Sequence, residues 1–327
     1  MRTLLFRIVQ VAVGVALFAY VLSLASPAEL RDAIAGADVP LLVIAGLINI
    51  PITLLFGLRS SFVLAQLGHR VDPRTAVPIA IVGNVAGALT PASSGELIRG
   101  VLLHTRAEVA AHDAAALVLY ERGFSVYLIM LTTGAAALML VLPLAAMPVV
   151  IASVVALVFV PGLILASAGS WLQRRLDRRS GRAFARAARD GIASLTDLAR
   201  HRGLSARWDA VTAAIIAVTA LQYWLVARSL NGGITYTEAW VSFGASQLAG
   251  IVSLLPLGLG SSDATLISLW RRYGLSYDAA ASGAVLIRLV STLPLIAIAV
   301  ISYAYLRTRR TAPRQPADEP VRASTNT

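Results

Sequence analysis

Eight apolar stretches, near residues 5–24, 39–58, 76–90, 114–141, 145–168, 208–230, 238–255 and 279–306, leave this chain few folds to choose from. Several exceed the roughly 18 residues that suggest a membrane-spanning helix. Within hydrocarbon the backbone N–H and C=O groups must be satisfied inside the protein, and a helix does this within a single segment. Charged residues make up only 14% of the 327 residues, and the mean hydropathy is +0.74. A soluble domain carries about 25% charge. The sequence therefore predicts an all-α polytopic membrane protein with roughly 6–8 transmembrane helices. The first stretch, with Arg2 just before it and Arg7 near its start, is read as a retained helix rather than a cleaved signal, because the rest of the chain is also apolar.

Two of the stretches are broken in the same way. Leu89-Thr90-Pro91-Ala92-Ser93-Ser94-Gly95-Glu96 and Leu255-Pro256-Leu257-Gly258-Leu259-Gly260-Ser261-Ser262-Asp263 each place a glycine four residues after a proline, with an acid close behind. Each is followed by a short helical stretch, 94–104 or 261–273, and then by a long apolar helix with an arginine inside it, Arg122 or Arg288. The prolines are 165 residues apart, the glycines Gly95 and Gly260 also 165, and the arginines 166. Repeated broken helices with ionisable groups are a sequence pointer to a transport site between two repeats. The repeats are placed at about 76–141 and 238–306.

Charge sets the expected orientation. All 28 basic residues are arginine, and they gather between apolar runs and at the tail, which argues for the positive-inside pattern and against nucleic acid. Arg59, Arg70 and Arg74 follow the second run, and ten arginines lie in 170–207. If these segments and both termini are cytoplasmic, 76–104 must enter and leave on the cytoplasmic side, and 238–273 on the other side. The repeat would then be inverted, its weak point being Arg271-Arg272 outside; full crossing of both segments would instead put the ten arginines of 170–207 outside. The apolar positions Leu172, Leu176, Phe184, Ala188, Ile192, Leu195 and Ala199 suit either an amphipathic helix on the inner leaflet or a solvated helical loop. The tail 307–327 is polar and is expected to be disordered.

A charge at the bilayer centre costs about 2.5–3.5 kcal/mol on insertion scales, so ionisable groups there mark function. Arg122 and Arg288 each lie about ten residues, or about 15 Å, into their helices. Glu121 is turned about 100° from Arg122, so the two need not share a partner. Glu96 and Arg99 share one face of the first short helix, and Asp263 opens the second. The candidate substrate-binding residues are Glu96, Arg99, Glu121, Arg122, Asp263 and Arg288. The helix-break positions are Pro91, Gly95, Pro256, Gly258, Gly260 and Ser261. The acids and arginines could pair and fix packing. They could also line a cavity with the two new helix N-termini, where Ser93-Ser94 and Ser261-Ser262 are natural caps and a phosphate can be held. Glu96 or Asp263 would then meet an amine or carry a coupling ion. With no cysteine, thiolate chemistry and disulfides are excluded. His104 and His112 are read as interfacial polar residues, and Trp171, Trp208, Trp224, Trp240 and Trp270 as an aromatic belt. No metal site, cofactor fingerprint or nucleophile–base pair stands out.

At Thr90-Pro91-Ala92-Ser93-Ser94-Gly95-Glu96-Leu97-Ile98-Arg99, Glu121-Arg122, Pro256 to Asp263 and Arg288, the chain resembles the flippase-like family related to the membrane domain of lysylphosphatidylglycerol synthase/flippase. The resemblance covers roughly 40–306. It implies about eight helical segments and transfer of an aminoacylated or glycosylated lipid between leaflets, with a membrane phospholipid or polyprenyl-linked lipid as the partner. Asp263 stands where a Glu is usual, and Ala92-Ser93-Ser94 where a basic residue is common. Members that synthesise lysyl-lipid add a large soluble transferase domain, and this chain ends about 20 residues past its last helix, so aminoacyl transfer is not expected. The site of such a multi-pass protein is expected in a bacterial inner membrane, with both termini cytoplasmic. The rival reading is a scaffold for a separate lipid-modifying enzyme.

Overall fold

A computed structural model describes residues 13, 15–20, 23, 26–90, 95–177 and 183–308. Among them there are helices and short turns and no strand. In chain order the α-helices are α1 (Pro27–Ala35), α2 (Val39–Leu47), α3 (Asn49–Gln66), α4 (Pro73–Leu89), α5 (Glu96–Arg106), α6 (Ala111–Val141), α7 (Met147–Val158), α8 (Val160–Asp177), α9 (Ala183–Arg200), α10 (Arg202–Ser229), α11 (Tyr236–Ser253), α12 (Ser261–Arg272), α13 (Tyr277–Ile287) and α14 (Leu293–Thr308). Five stretches of the described residues are long and apolar enough to cross a membrane: Val39–Gln66, Ala111–Val141, Leu144–Leu165, Ala206–Ser229 and Tyr277–Thr308. Their outward faces carry exposed Leu54, Val149, Ile164 and Ile301, as contact with lipid requires. The protein is an all-helical, polytopic membrane protein. Of the first apolar run, residues 13, 15–20 and 23 are described and all are helical; its remainder, the break residues 91–94 and the tail from 309 lie outside the described residues.

Local chemistry explains where the helices begin and bend. Asp38 and Asp72 accept from the backbone N–H of Leu41 and Arg74, with prolines placed in the first turns of α2 and α4. Thr235 and Glu238 cap α11 reciprocally. The second apolar run divides at Ile48 because Pro51 has no N–H to give the carbonyl of Leu47. It then continues to Gln66, eight residues past the expected end, so Arg59 is not in a cytoplasmic loop. It is buried inside α3.

The two segments expected to be repeats have matching element lengths. Helices of 17, 11 and 31 residues (α4, α5, α6) are matched by 18, 12 and 32 residues (α11, α12 and the α13–α14 stretch). At 1.5 Å per residue, α5 and α12 reach only about 16–18 Å, well short of a hydrocarbon core of about 30 Å. The two halves exchange partners. Helix α11 packs along α6, where Gly244 leaves no room for a side chain beside Thr133. Helix α14 packs along α4, where Ile81 and Val85 meet Ala299. Helix α10 packs against α2, α3 and α11. Trp208 on α10 is fully buried against Tyr120 and Phe124 of α6, with ring centroids 5.5 and 6.1 Å away. Trp270 is also fully buried, so these two tryptophans belong to the core and not to an interfacial belt.

On either side of 178–182, which lie outside the described residues, α8 and α9 pack against each other, and α9 docks on α6. Leu198 and Ala199 of α9 face protein, with Leu195 packed alongside. The dock is polar at Asp113, whose carboxylate lies 2.9 Å from His69 Nε2 and accepts from Ser194 Oγ at 2.6 Å. Asp113→Ala removes the Ser194 bond and should therefore loosen α9, lowering stability by about 2 kcal/mol, the worth of one hydrogen bond to a charged group. Faster hydrogen exchange along Ala183–Arg200 is the readout, and unchanged exchange there would show that the apolar face alone holds the dock.

Candidate functional site

Both halves wall a single cavity of about 470 Å³. All six candidate substrate-binding residues line it: Glu96, Arg99, Glu121, Arg122, Asp263 and Arg288. The break residue Gly258 lines it too.

In the first half, Gly83 and Gly87 of α4 let α5 approach so closely that a side chain at either position would overlap Arg99 or Glu96. This small-residue spacing sets both polar groups facing inward. Arg99 Nη1 lies 2.6 Å from Glu121 Oε2, and its Nη2 donates to Ser60 Oγ at 2.6 Å. Arg59 approaches the same Glu121 oxygen at 3.3 Å and donates to Ser125 Oγ at 3.0 Å. The Arg59 guanidinium stacks 5.0 Å from the Trp208 ring and 5.1 Å from Phe56. The side chains of this trio are only 8%, 2% and 8% exposed for Arg59, Glu121 and Arg99. Arg122, one residue on, points elsewhere and meets Glu96 at 3.1 Å. The 100° turn between Glu121 and Arg122 thus gives them separate partners, and Glu96 and Arg99 do not pair with each other.

In the second half, Arg288 grips Asp263 with two bonds, Nε to Oδ1 at 3.1 Å and Nη2 to Oδ2 at 2.9 Å. It also donates to the carbonyl of Leu257 at 2.9 Å and to Ser262 Oγ at 3.0 Å. Asp263 in turn accepts from the N–H of Gly260, the residue preceding α12, at 2.9 Å. Gly260 has φ +79°, a conformation that favours glycine. The expected serine caps are corrected here. Ser261 and Ser262 turn back to the carbonyl of Gly258, at 3.1 and 2.8 Å, and the acid does the capping. In the first half, Gly95 precedes α5, and its N–H reaches Thr90 Oγ1 at 2.5 Å; Ser93, Ser94 and Pro91 lie outside the described residues.

The halves therefore repeat one ion pair, Glu96–Arg122 and Asp263–Arg288, in two states. The second pair is buried, with Arg288 17% and Asp263 5% exposed, and Arg288 makes four bonds. The first is open: Arg122 is 36% exposed and makes one bond to the described residues.

Next to Arg288 the last span loosens into a π-helical turn, Arg288–Thr292. Pro294 cannot donate to the carbonyl of Val290. Two side-chain amides take its place: Asn49 Nδ2 at 2.6 Å and Gln222 Nε2 at 3.5 Å, the latter bonded more closely to the carbonyl of Ala45 at 2.7 Å. Asn49, Gln222 and Arg59 line the cavity and were not among the sequence candidates. The signal for Arg59 was present: apolar residues resume straight after it at Phe62-Val63-Leu64, and no helix breaker comes before Gly68. Nothing local marks the two amides.

This arrangement of broken helices around charged pairs has relatives. The profile described as the lysylphosphatidylglycerol synthase TM region matches residues 7–299. The chain belongs to that family. It is also similar to a UPF0104 membrane protein of Methanothermobacter thermautotrophicus, 24% identical over 319 residues, which covers 91% of this chain and 94% of the relative. The family assignment agrees with the polytopic fold, and the resemblance carried by the short motifs extends over nearly the whole chain.

Proposed function

We propose that this protein moves a lipid between leaflets by passing its anionic headgroup through the cavity while the acyl or prenyl chains stay in the bilayer. The observation that carries the reading is the cavity itself: both halves line it, and it holds four guanidinium groups against three carboxylates among the described residues. Arginine is suited to phosphate, offering planar paired donors that stay charged. The matching halves supply the means of alternation, each half rocking against the other around a fixed site. In this reading the α4–α5 and α11–α12 hairpins enter from opposite faces of a bacterial inner membrane, and both termini are cytoplasmic, as the distribution of arginine favours. The membership of the lysylphosphatidylglycerol synthase TM-region family supports lipid as the cargo.

The test is a proteoliposome assay with a fluorescent anionic phospholipid, scored by the fraction of label moved out of reach of an external quencher. The protein should accelerate movement over empty vesicles. Arg122→Gln, which alters the open arginine, should slow it at least about tenfold, the worth of one hydrogen bond to a charged group. Movement no faster than in empty vesicles, across a panel of anionic lipids, would sink the proposal.

A further inference from the structure

The charge count and the unused bonds of the cavity narrow the headgroup, given the transport reading above. Arg59, Arg99, Arg122 and Arg288 face Glu96, Glu121 and Asp263, a surplus of one positive charge. The N-terminus of α12 adds a partial positive charge beside it. In a partly enclosed space an uncompensated charge still costs free energy, so an occupant carrying one negative charge fits best. Among the described residues, unused hydrogen-bonding capacity lies at the buried Arg59 Nε, Glu121 Oε1 and Ser246 Oγ, and in more open form at Arg122 and Glu96. Arg59 and Arg99 are held on Glu121 and on serines, and Arg288 on four acceptors. Arg122 and Glu96 share a single bond between them among the described residues. Arg122 therefore keeps donors for phosphate oxygens, and Glu96 keeps an oxygen to accept from a hydroxyl. The cavity lining also includes Asn84 and Gln247, polar and uncharged, as a hydroxylated group requires.

The alternatives fit worse. An ammonium group would add to the positive surplus, and every cavity carboxylate is already on a guanidinium. A diphosphate would overfill the surplus and leave buried negative charge. We infer that the cavity selects a phosphodiester of net charge −1 whose headgroup is uncharged and hydroxyl-bearing, and that it discriminates against aminoacylated and diphosphate-linked lipids.

Binding separates this inference from transport. Full-length protein in detergent would be titrated, by native mass spectrometry, with four probes: phosphatidylglycerol, a polyprenyl phosphate bearing one neutral sugar, lysyl-phosphatidylglycerol and a polyprenyl diphosphate. One of the first two should bind about tenfold or more tighter than either of the last two, a difference of 1.4 kcal/mol. Which of the two wins distinguishes a diacyl source from a polyprenyl one. Tighter binding of the lysyl or diphosphate probe, or no binding of any, overturns the inference. The expected preference without movement in vesicles overturns the transport reading alone.

Two variants test the charge count directly. Glu96→Gln raises the surplus to two and should improve the diphosphate probe about tenfold relative to the monoanions. Arg122→Gln abolishes the surplus and should erase the preference over the lysyl probe. Each is compared at equal melting temperature. Ratios unchanged in the variant that melts like the parent overturn the inference.

Discussion

Glu121→Ala should lower the stability of the purified protein by about 3–5 kcal/mol, the cost of leaving a buried charge without its partner. The effect is large because two guanidinium groups depend on one carboxylate oxygen. With Glu121 gone, Arg59 and Arg99 would face each other in a space where each is only 8% exposed. Their serine contacts, to Ser125 and Ser60, supply dipoles but no counter-charge. Thermal melting in detergent measures the loss. The triple replacement Arg59→Met, Glu121→Met, Arg99→Met should recover most of it, since removing a whole buried ionic cluster is often neutral or stabilising. A single variant that melts within a degree or two of the parent would mean that water reaches the trio and that it is not a structural cluster.

Asp263→Ala should cost a similar amount, again about 3–5 kcal/mol. It removes both bonds to Arg288 and the acceptor for the Gly260 N–H at the start of α12. The equivalent change in the first half, Glu96→Ala, should cost far less, because its pair is partly exposed and singly bonded. Comparing the two melts tests whether one repeated ion pair holds the fold and the other serves the cavity. Equal losses would reject that division. Arg288→Ala removes the same lock, so its effect on headgroup movement would report folding as well as binding.

How far the sequence could be read follows from which interactions are local. The apolar runs and the two breaks are properties of short segments, and the structure has helices over the described runs, with α4 ending at Leu89 before α5 begins at Glu96 and α11 ending at Ser253 before α12 begins at Ser261. The 166-residue spacing of the arginines even matches the repeated ion pair. Pairing is different. Glu121 takes partners 62 and 22 residues away, Arg59 and Arg99, and nothing in helical periodicity selects them. A charge after an apolar run resembles a cytoplasmic flank, which is why the sequence points to a loop at Arg59, yet paired burial lets a helix carry it inside. The serines at 261 and 262 had cap chemistry, but the free carbonyl of Gly258 lay within reach and competed successfully. Trp208 and Trp270 sit near the ends of apolar stretches, where an interfacial position is the usual expectation; the packing of α6 and α13 around them, including Gly283 against Trp270, makes those ends interior.

The π-helical turn after Arg288 has a geometric consequence for the whole last span. An α-helix advances about 100° per residue, so one residue accommodated in a wider turn rotates everything beyond it by about that angle. The span Tyr277–Thr308 is thus one rod cut into two phases. Its first part, α13, faces α12 and α1, and its second, α14, faces α4. Without that rotation the residues of α14 that now meet α4 would be turned about 100° away from it. The amides of Asn49 and Gln222, by holding the carbonyl of Val290, fix the point at which the phase changes, two residues past Arg288.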